Sequence, residues 1–235
     1  MKTLCIIPAR GGSKGLKDKN IMDLCGKPLM GYSIEAALAA KSVDKVVVST
    51  DSEKIANVVR DFCDVEIIMR PAQFAQDDSP IEDALLHTVK YLKESQNYEP
   101  GIVVWIQPNV PIRETGAIDR VVDALANSDA DSCVTCYEVD QLPEWMKKIN
   151  DQGMLESCFG ESTAVRRQEV PQRYLLDGAI VAMRTENLIK CEGVRKPHAC
   201  LGKNIIPIIQ TDKKYSTEID VFEDFQLVQY YMQTN

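Results

Sequence analysis

Residues 3–20 read TLCIIPARGGSKGLKDKN. An apolar run, Leu4–Ile7, passes through Pro8 into a loop holding Arg10, Lys14, Lys17 and Lys19 together with Gly11, Gly12 and Gly15. The run predicts a first strand covered on both faces, and the glycines predict a turn at its carboxyl end. Gathering cations and glycines in one loop costs backbone entropy and charge repulsion, so an anionic ligand is the expected counterpart. The loop lacks the spacing of a Walker motif and the Gly-x-Gly-x-x-Gly of dinucleotide folds. It offers backbone N–H groups beside flexible cations. That combination suits a triphosphate, whose charge grows on the departing pyrophosphate as a bond at the α-phosphorus breaks.

Working outward, strand-like runs alternate with helical patterns. DKVVVSTD, DVEIIMRP, GIVVWIQP and SCVTCYEV read as strands, and the segments between them place apolar residues at helical spacing. Helix starts are predicted at a Thr50–Glu53 capping box, at Ser79 followed by Pro80 and Glu82, and at Thr115. Such alternation implies right-handed crossovers and an α/β fold with a mainly parallel central sheet covered on both faces. Ligands in these folds gather beyond the carboxyl ends of the strands. The expected ends carry Arg10, Asp51, Arg70 and Gln107, which one pocket can contain.

From Glu138 to Tyr174 the periodicity lapses into polar, short-ranged sequence with a few apolar anchors, Leu142, Trp145 and Met146. Residues 1–235 therefore read as a single domain from which residues 138–174 project as an arm. DGAIVAM and NIIPIIQT restore strand character, and VFEDFQLVQYYM predicts a closing helix.

Composition narrows the function. Twenty-seven basic against 35 acidic side chains give a formal charge of −8, which argues against a general nucleic-acid surface. The first apolar run is too short for a signal-peptide core or a membrane span, so a cytoplasmic protein with no membrane partner is expected. Eight scattered cysteines read as buried thiols, and CVTC stands alone, without the second ligand pair of a zinc site. Near the end, STEIDVFEDF brings Glu218, Asp220, Glu223 and Asp224 together. In an extended TEID, Glu218 and Asp220 share a face and offer the hard oxygen ligands that Mg2+ prefers. A solvated acidic turn at a helix start has the same composition, and Glu223 and Asp224 suit that role.

Six blocks in register, IIPARGGSKGLKDKNI, VVVSTDSEKIA, IMRPAQFAQDDSP, IQPNVPIR, PQRYLLDGAI and STEIDVFEDF, together resemble the acylneuraminate cytidylyltransferases, the CMP-sialic acid synthetase family. The resemblance covers almost the whole chain. It implies a three-layer, Rossmann-like nucleotidyltransferase fold with a dimerisation arm. It also implies magnesium-dependent transfer of CMP from CTP to the anomeric hydroxyl of a sialic-acid-like sugar acid. By matching positions, Arg10, Lys19 and Asp220 would be catalytic, with Gly11, Gly12, Ser13, Lys14, Asn20 and Arg70 on the nucleotide. Gln107, Arg167, Gln172 and Asp177 would lie toward the sugar acid, and Asp220 with Glu218 would hold the metal. The arm would reach across a homodimer. The chain departs from the family pattern at Glu218, where aspartate is usual, at Asn109 and Val110, and at Leu175 and Asp177 in LLDGAIV. These departures bear on which sugar acid is used. Another nucleotide such as GTP, a sugar 1-phosphate acceptor, or nucleotide binding without catalysis are the competing readings.

Overall fold

The computed structural model describes residues 1–12, 15–160, 166 and 170–234. Strand β1 (Thr3–Ala9) is buried along its whole length. Two short strands, β2 (Asp23–Leu24) and β3 (Lys27–Pro28), lead into helix α1 (Leu29–Ala39). There follow β4 (Lys45–Thr50), α2 (Glu53–Phe62), β5 (Glu66–Met69), α3 (Ile81–Gln96), β6 (Ile102–Trp105), α4 (Ala117–Ala126) and β7 (Ser132–Glu138). A hairpin of β8 (Lys147–Ile149) and β9 (Leu155–Ser157) precedes the long β10 (Tyr174–Arg184), α5 (Thr185–Lys190), β11 (Ile205–Ile209) and α6 (Phe222–Gln233).

The central sheet has the order β11-β7-β10-β6-β1-β4-β5. β1 pairs in parallel with β4 and β6, β4 with β5, and β11 with β7, whereas β10 runs antiparallel between β6 and β7. The expected α/β architecture with a mainly parallel sheet is therefore present.

Alternation along β1 sends Cys5, Ile7 and Ala9 into a core with α1, α2 and α4. Leu4 and Ile6 enter a second core against α3 and α5 on the other face. This produces three layers. Truncating one of these fully buried side chains, for example Ile6→Ala, costs about 2–5 kcal/mol through lost burial and the cavity left behind. A third, smaller core joins Leu24, Leu29 and Ile219 to Phe225 and Val228 of α6, with Leu16 packed against it. It brings the acidic segment near the carboxyl terminus back to the first glycine loop.

Three helix starts differ from expectation. At α2 the capping oxygen is that of Ser52, which accepts from Ile55 N–H, while Thr50 ends β4 and accepts from Ser52 N–H. Ser79 does not cap α3, because its hydroxyl donates to the Gln73 carbonyl and accepts from Gln76 N–H. α4 starts after Gly116, whose φ of 74° permits a turn that Thr115 does not cap. Among the described residues no helix is long and apolar enough to cross a membrane.

Candidate active site

The carboxyl ends of β1, β4, β5 and β6 point the same way, so Arg10, Asp51, Arg70 and Gln107 emerge at one edge of the sheet. Arg70 is tied there by its N–H to the Thr50 carbonyl, 2.8 Å. Arg10, Arg70 and Gln107, joined by Lys19 and Asn20, line a cavity of about 320 Å³. Its apolar wall includes Phe74, Ile81, Ala84 and Trp105.

The glycine loop is fixed by contacts that glycine alone permits. A Cβ at Gly15 would lie 2.2 Å from the Asp220 carbonyl, and one at Gly11 would lie 2.9 Å from Cβ of Ser52. Gly11 N–H, expected on the nucleotide, donates to Asp51 Oδ1 at 3.0 Å. A Cβ at Gly12 would meet nothing within 4 Å. Ser13 and Lys14 lie outside the described residues. Beyond the loop, Asp18 takes a left-handed conformation, φ 56°, and pairs with Lys54 at 2.8 Å. The Lys54 hydrogen bond holds the Asp18 carboxyl below its ordinary range. A 3-10 turn at Lys19–Ile21 then turns Lys19 and Asn20 to the cavity, and Asn20 Nδ2 donates to the Arg10 carbonyl.

The cavity cations face carboxylates. Arg10 donates to Asp77 Oδ1 at 2.9 Å, and Lys19 donates to Asp220 Oδ1 at 2.7 Å. Arg70 is buried, 3.8 Å from Asp51. Burial pulls its guanidinium pKa down; Asp51 opposes that shift and Arg10 adds to it. Its Nε and the Trp105 Nε1 are buried without a hydrogen-bond partner among the described residues. Asp77, not singled out from sequence, also lines the cavity, as does Asn109, which the sequence marked only as a departure from the family pattern. Asn109 Nδ2 donates to Asp220 at 3.4 Å, and its carbonyl accepts from Ile219 N–H at 2.8 Å. The signal lay inside IQPNVPIR.

Ile219 is fully buried between half-buried Glu218 and exposed Asp220. Burial, then the Asp220 charge, pushes the Glu218 carboxyl pKa up, while Lys19 opposes that shift. Asp224 accepts from the Asp220 and Val221 N–H groups, which gives it the helix-start role expected of it. Among the described residues no group of three or more His, Cys, Asp or Glu side chains is arranged to hold a metal ion. The Glu218 and Asp220 carboxylates, on either side of buried Ile219, nevertheless fit magnesium, which often takes one or two protein oxygens and fills its shell with phosphate and water. Cys133 and Cys136 of CVTC are buried in β7, and burial lifts the Cys133 thiol to about 11.

Toward β10 the picture changes. Gln107 packs against Gly178, where φ is 63° and a Cβ would lie 2.2 Å from Gln107 Nε2. Arg113, also unremarked in the sequence, donates to the Gln107 carbonyl at 2.6 Å, to Ser33 Oγ and to the Ala179 carbonyl. Burial of its guanidinium lowers the pKa to about 10. Asp177, expected beside the sugar, is instead buried at 2% exposure, and it does not line the cavity. It accepts from Thr135 Oγ1, Ala179 N–H and Ser216 Oγ. A carboxylate with three donors is stable inside the fold, where an unsatisfied one would not be. Gln172 is exposed and donates to Glu138 across the start of β10. Arg167 lies outside the described residues. A second cavity of about 530 Å³ opens at the base of the arm beside Arg173, Leu175, Lys213 and Ser216.

The cytidylyltransferase family model matches residues 4–192. An N-acylneuraminate cytidylyltransferase of Streptococcus agalactiae serotype V is 29% identical over 230 residues, covering 96% of this chain and 52% of that protein. The chain thus spans about half the length of the first curated relatives it matches. A CMP-N,N'-diacetyllegionaminic acid synthase of Legionella pneumophila is 26% identical over 236 residues, covering all of this chain and 98% of that one. Among solved structures, a CMP:2-keto-3-deoxy-manno-octonic acid synthetase complexed with CTP superposes with a TM-score of 0.73 at 20% identity, covering 99% of both chains. That likeness establishes the three-layer, Rossmann-like nucleotidyltransferase fold.

Proposed function

The chain belongs to the cytidylyltransferase family, and from that premise we propose that it transfers CMP from CTP to the anomeric hydroxyl of a nonulosonic, sialic-acid-like sugar acid, releasing pyrophosphate. The observation that carries the reading is the convergence of Arg10, Lys19, Asn20, Arg70 and Gln107 on one cavity, with the Glu218–Asp220 carboxylates at its edge through Lys19. Relatives named for cytidylyl transfer to N-acylneuraminate, pseudaminic acid and diacetyllegionaminic acid support the sugar class.

In this reading the nucleotide occupies the cavity, its base toward the Phe74 and Trp105 wall and its phosphates toward Arg10 and Lys19. A triphosphate competes with Asp77 and Asp220 for these two cations, exchanging carboxylate partners for phosphate oxygens that carry more charge. Asp220 and Glu218 would hold Mg2+, which when bound would supply Lewis-acid neutralisation of phosphate charge. The anomeric oxygen forms its bond to the α-phosphorus in line with the breaking bond to the bridging oxygen, the hydroxyl proton passes to water, and pyrophosphate departs. Arg10 and Lys19 stabilise the charge that grows on that leaving group, and Gln107 orients the sugar acid. The arm at 138–174 meets a second copy of the chain, and the apolar surface it exposes supports this homodimer.

Pyrophosphate release by the purified protein with magnesium, across CTP, GTP, UTP and ATP and a panel of nonulosonic acids and hexose 1-phosphates, tests the assignment. Release requiring CTP and a sugar acid is expected. Release with GTP or a hexose 1-phosphate moves the activity to another nucleotidyl transfer, and CTP binding without release leaves a nucleotide-binding protein.

A further inference from the structure

Strand β10 is interrupted where it passes the site. Leu176 pairs with Cys136 and Val181 with Val134, so residues 177–180 stand opposite Thr135 alone. Such bulges re-aim side chains beside active sites, and this one is held from both directions. Ala179 N–H is bound by Asp177 and its carbonyl by Arg113. Thr135 Oγ1 both donates to Asp177 and accepts from Ile180 N–H. One carboxylate oxygen of Asp177 is consumed within the bulge. The other reaches out of it to Ser216 Oγ at 2.7 Å, two residues before Glu218.

We infer that Asp177 is a positioning residue: from the β10 bulge it tethers Ser216, and so fixes where the Glu218 and Asp220 carboxylates sit opposite Lys19. The inference rests on the proposed role of that carboxylate pair as the metal site. Ile219 in the small core and the Ile219 N–H bond to the Asn109 carbonyl also anchor the segment. Both act at or after residue 219. The Ser216 tether restrains the approach to Glu218 from the buried β10 bulge, beside the exposed Lys213–Asp140 pair. Arg113 gives the same bulge a grip on the Gln107 carbonyl, so the carboxylates and the cavity wall share one anchor.

Ser216→Ala removes the tether while leaving Asp177 its bonds to Thr135 and Ala179, and Ser216→Thr restores a hydroxyl. Manganese titrated into each protein alone, followed by electron paramagnetic resonance, reads the metal site without turnover. The alanine variant is expected to bind about tenfold more weakly, at the lower end of the effect of outer-shell partners. The threonine variant is expected within about twofold of wild type, and all three proteins to melt within a few degrees of one another. Equal affinity in wild type and Ser216→Ala, or no manganese binding by wild type, overturns the inference. Pyrophosphate release by wild type is measured separately, so a failure of the cytidylyl-transfer reading is seen independently of the titration.

Discussion

At the strand ends, Arg10 meets Asp77, Lys19 meets Asp220 and Arg70 approaches Asp51, so polar groups face other polar groups around a concave space. On the β8–β9 hairpin, Ile149 and Leu155 pair across the strands, and each is 72% exposed, with Met154 and Phe159 also turned outward. In the proposed function the first region takes a charged small ligand that replaces carboxylates at its cations. The second is a two-stranded ribbon, marginal by itself, whose apolar side chains gain stability once another surface covers them. On the proposed function, completion by a ligand and completion by a protein surface would leave these different marks on one chain.

The largest expected effect breaks the first half of that contrast. Lys19→Ala should lower pyrophosphate release by about 10²–10³-fold, the scale of losing one preorganised group at a developing charge. Its partner Asp220 is largely solvent-exposed, so the lost ion pair should cost about 1 kcal/mol of stability or less. Turnover and melting temperature measured on the same preparation check this. Wild-type turnover removes Lys19 from the site.

The second half is tested by Ile149→Glu. Burying an isoleucine is worth about 1.5–3 kcal/mol, so a charged replacement at a dimer contact should weaken self-association by at least tenfold. Sedimentation velocity over a concentration series reads it. A wild-type monomer at all concentrations, or a dimer indifferent to the substitution, assigns the exposed hairpin some other partner.

A smaller effect is expected at the bulge of β10, where Gly178 meets the cavity-lining Gln107. Gly178→Ala places a Cβ into Gln107 at a position of positive φ, which should destabilise by about 1–3 kcal/mol. It should also raise the KM for the sugar acid, since Gln107 must move. Thermal melting with the KM for each substrate separates strain from recognition.

Much of the fold was legible because its signals are local and repeated. β-Branched runs ending in polar residues marked β1, β4, β5 and β6, and the helices between them required a parallel sheet. The convergence of Arg10, Arg70 and Gln107 followed from strand direction alone. Other features escaped because they depend on contacts distant in sequence. Asp177 occupies a site-adjacent motif, but the bulge turns it toward Thr135 and Ser216, and no two-residue alternation encodes that turn. Arg113 was visible only as a letter in IQPNVPIR and Asn109 only as a departure from the family pattern, whereas their partners Ala179 and Asp220 lie 66 and 111 residues away. The hairpin carries its apolar residues within a polar, aperiodic stretch, so sequence indicated an arm and left its pairing open.

The helix caps supply the smallest effect and a control on the cavity itself. Both Thr50 and Ser52 precede α2 with suitable oxygens, but Thr50 is committed to the end of β4, and the Ser52 side chain accepts from Ile55 N–H. Ser52→Ala should therefore cost about 1 kcal/mol, the usual penalty for losing a serine cap. The same side chain supports the glycine loop, since its Cβ lies 2.9 Å from where a Cβ of Gly11 would be. Alanine keeps that Cβ, and Asp51 keeps its bond to Gly11 N–H. Stability measured by urea denaturation should fall while turnover holds, because the loop is positioned by carbon packing and Asp51, not by the cap hydroxyl. A parallel loss of turnover would mean that α2 capping and loop geometry are coupled, and that the cavity depends on its helices as strongly as on its strand ends.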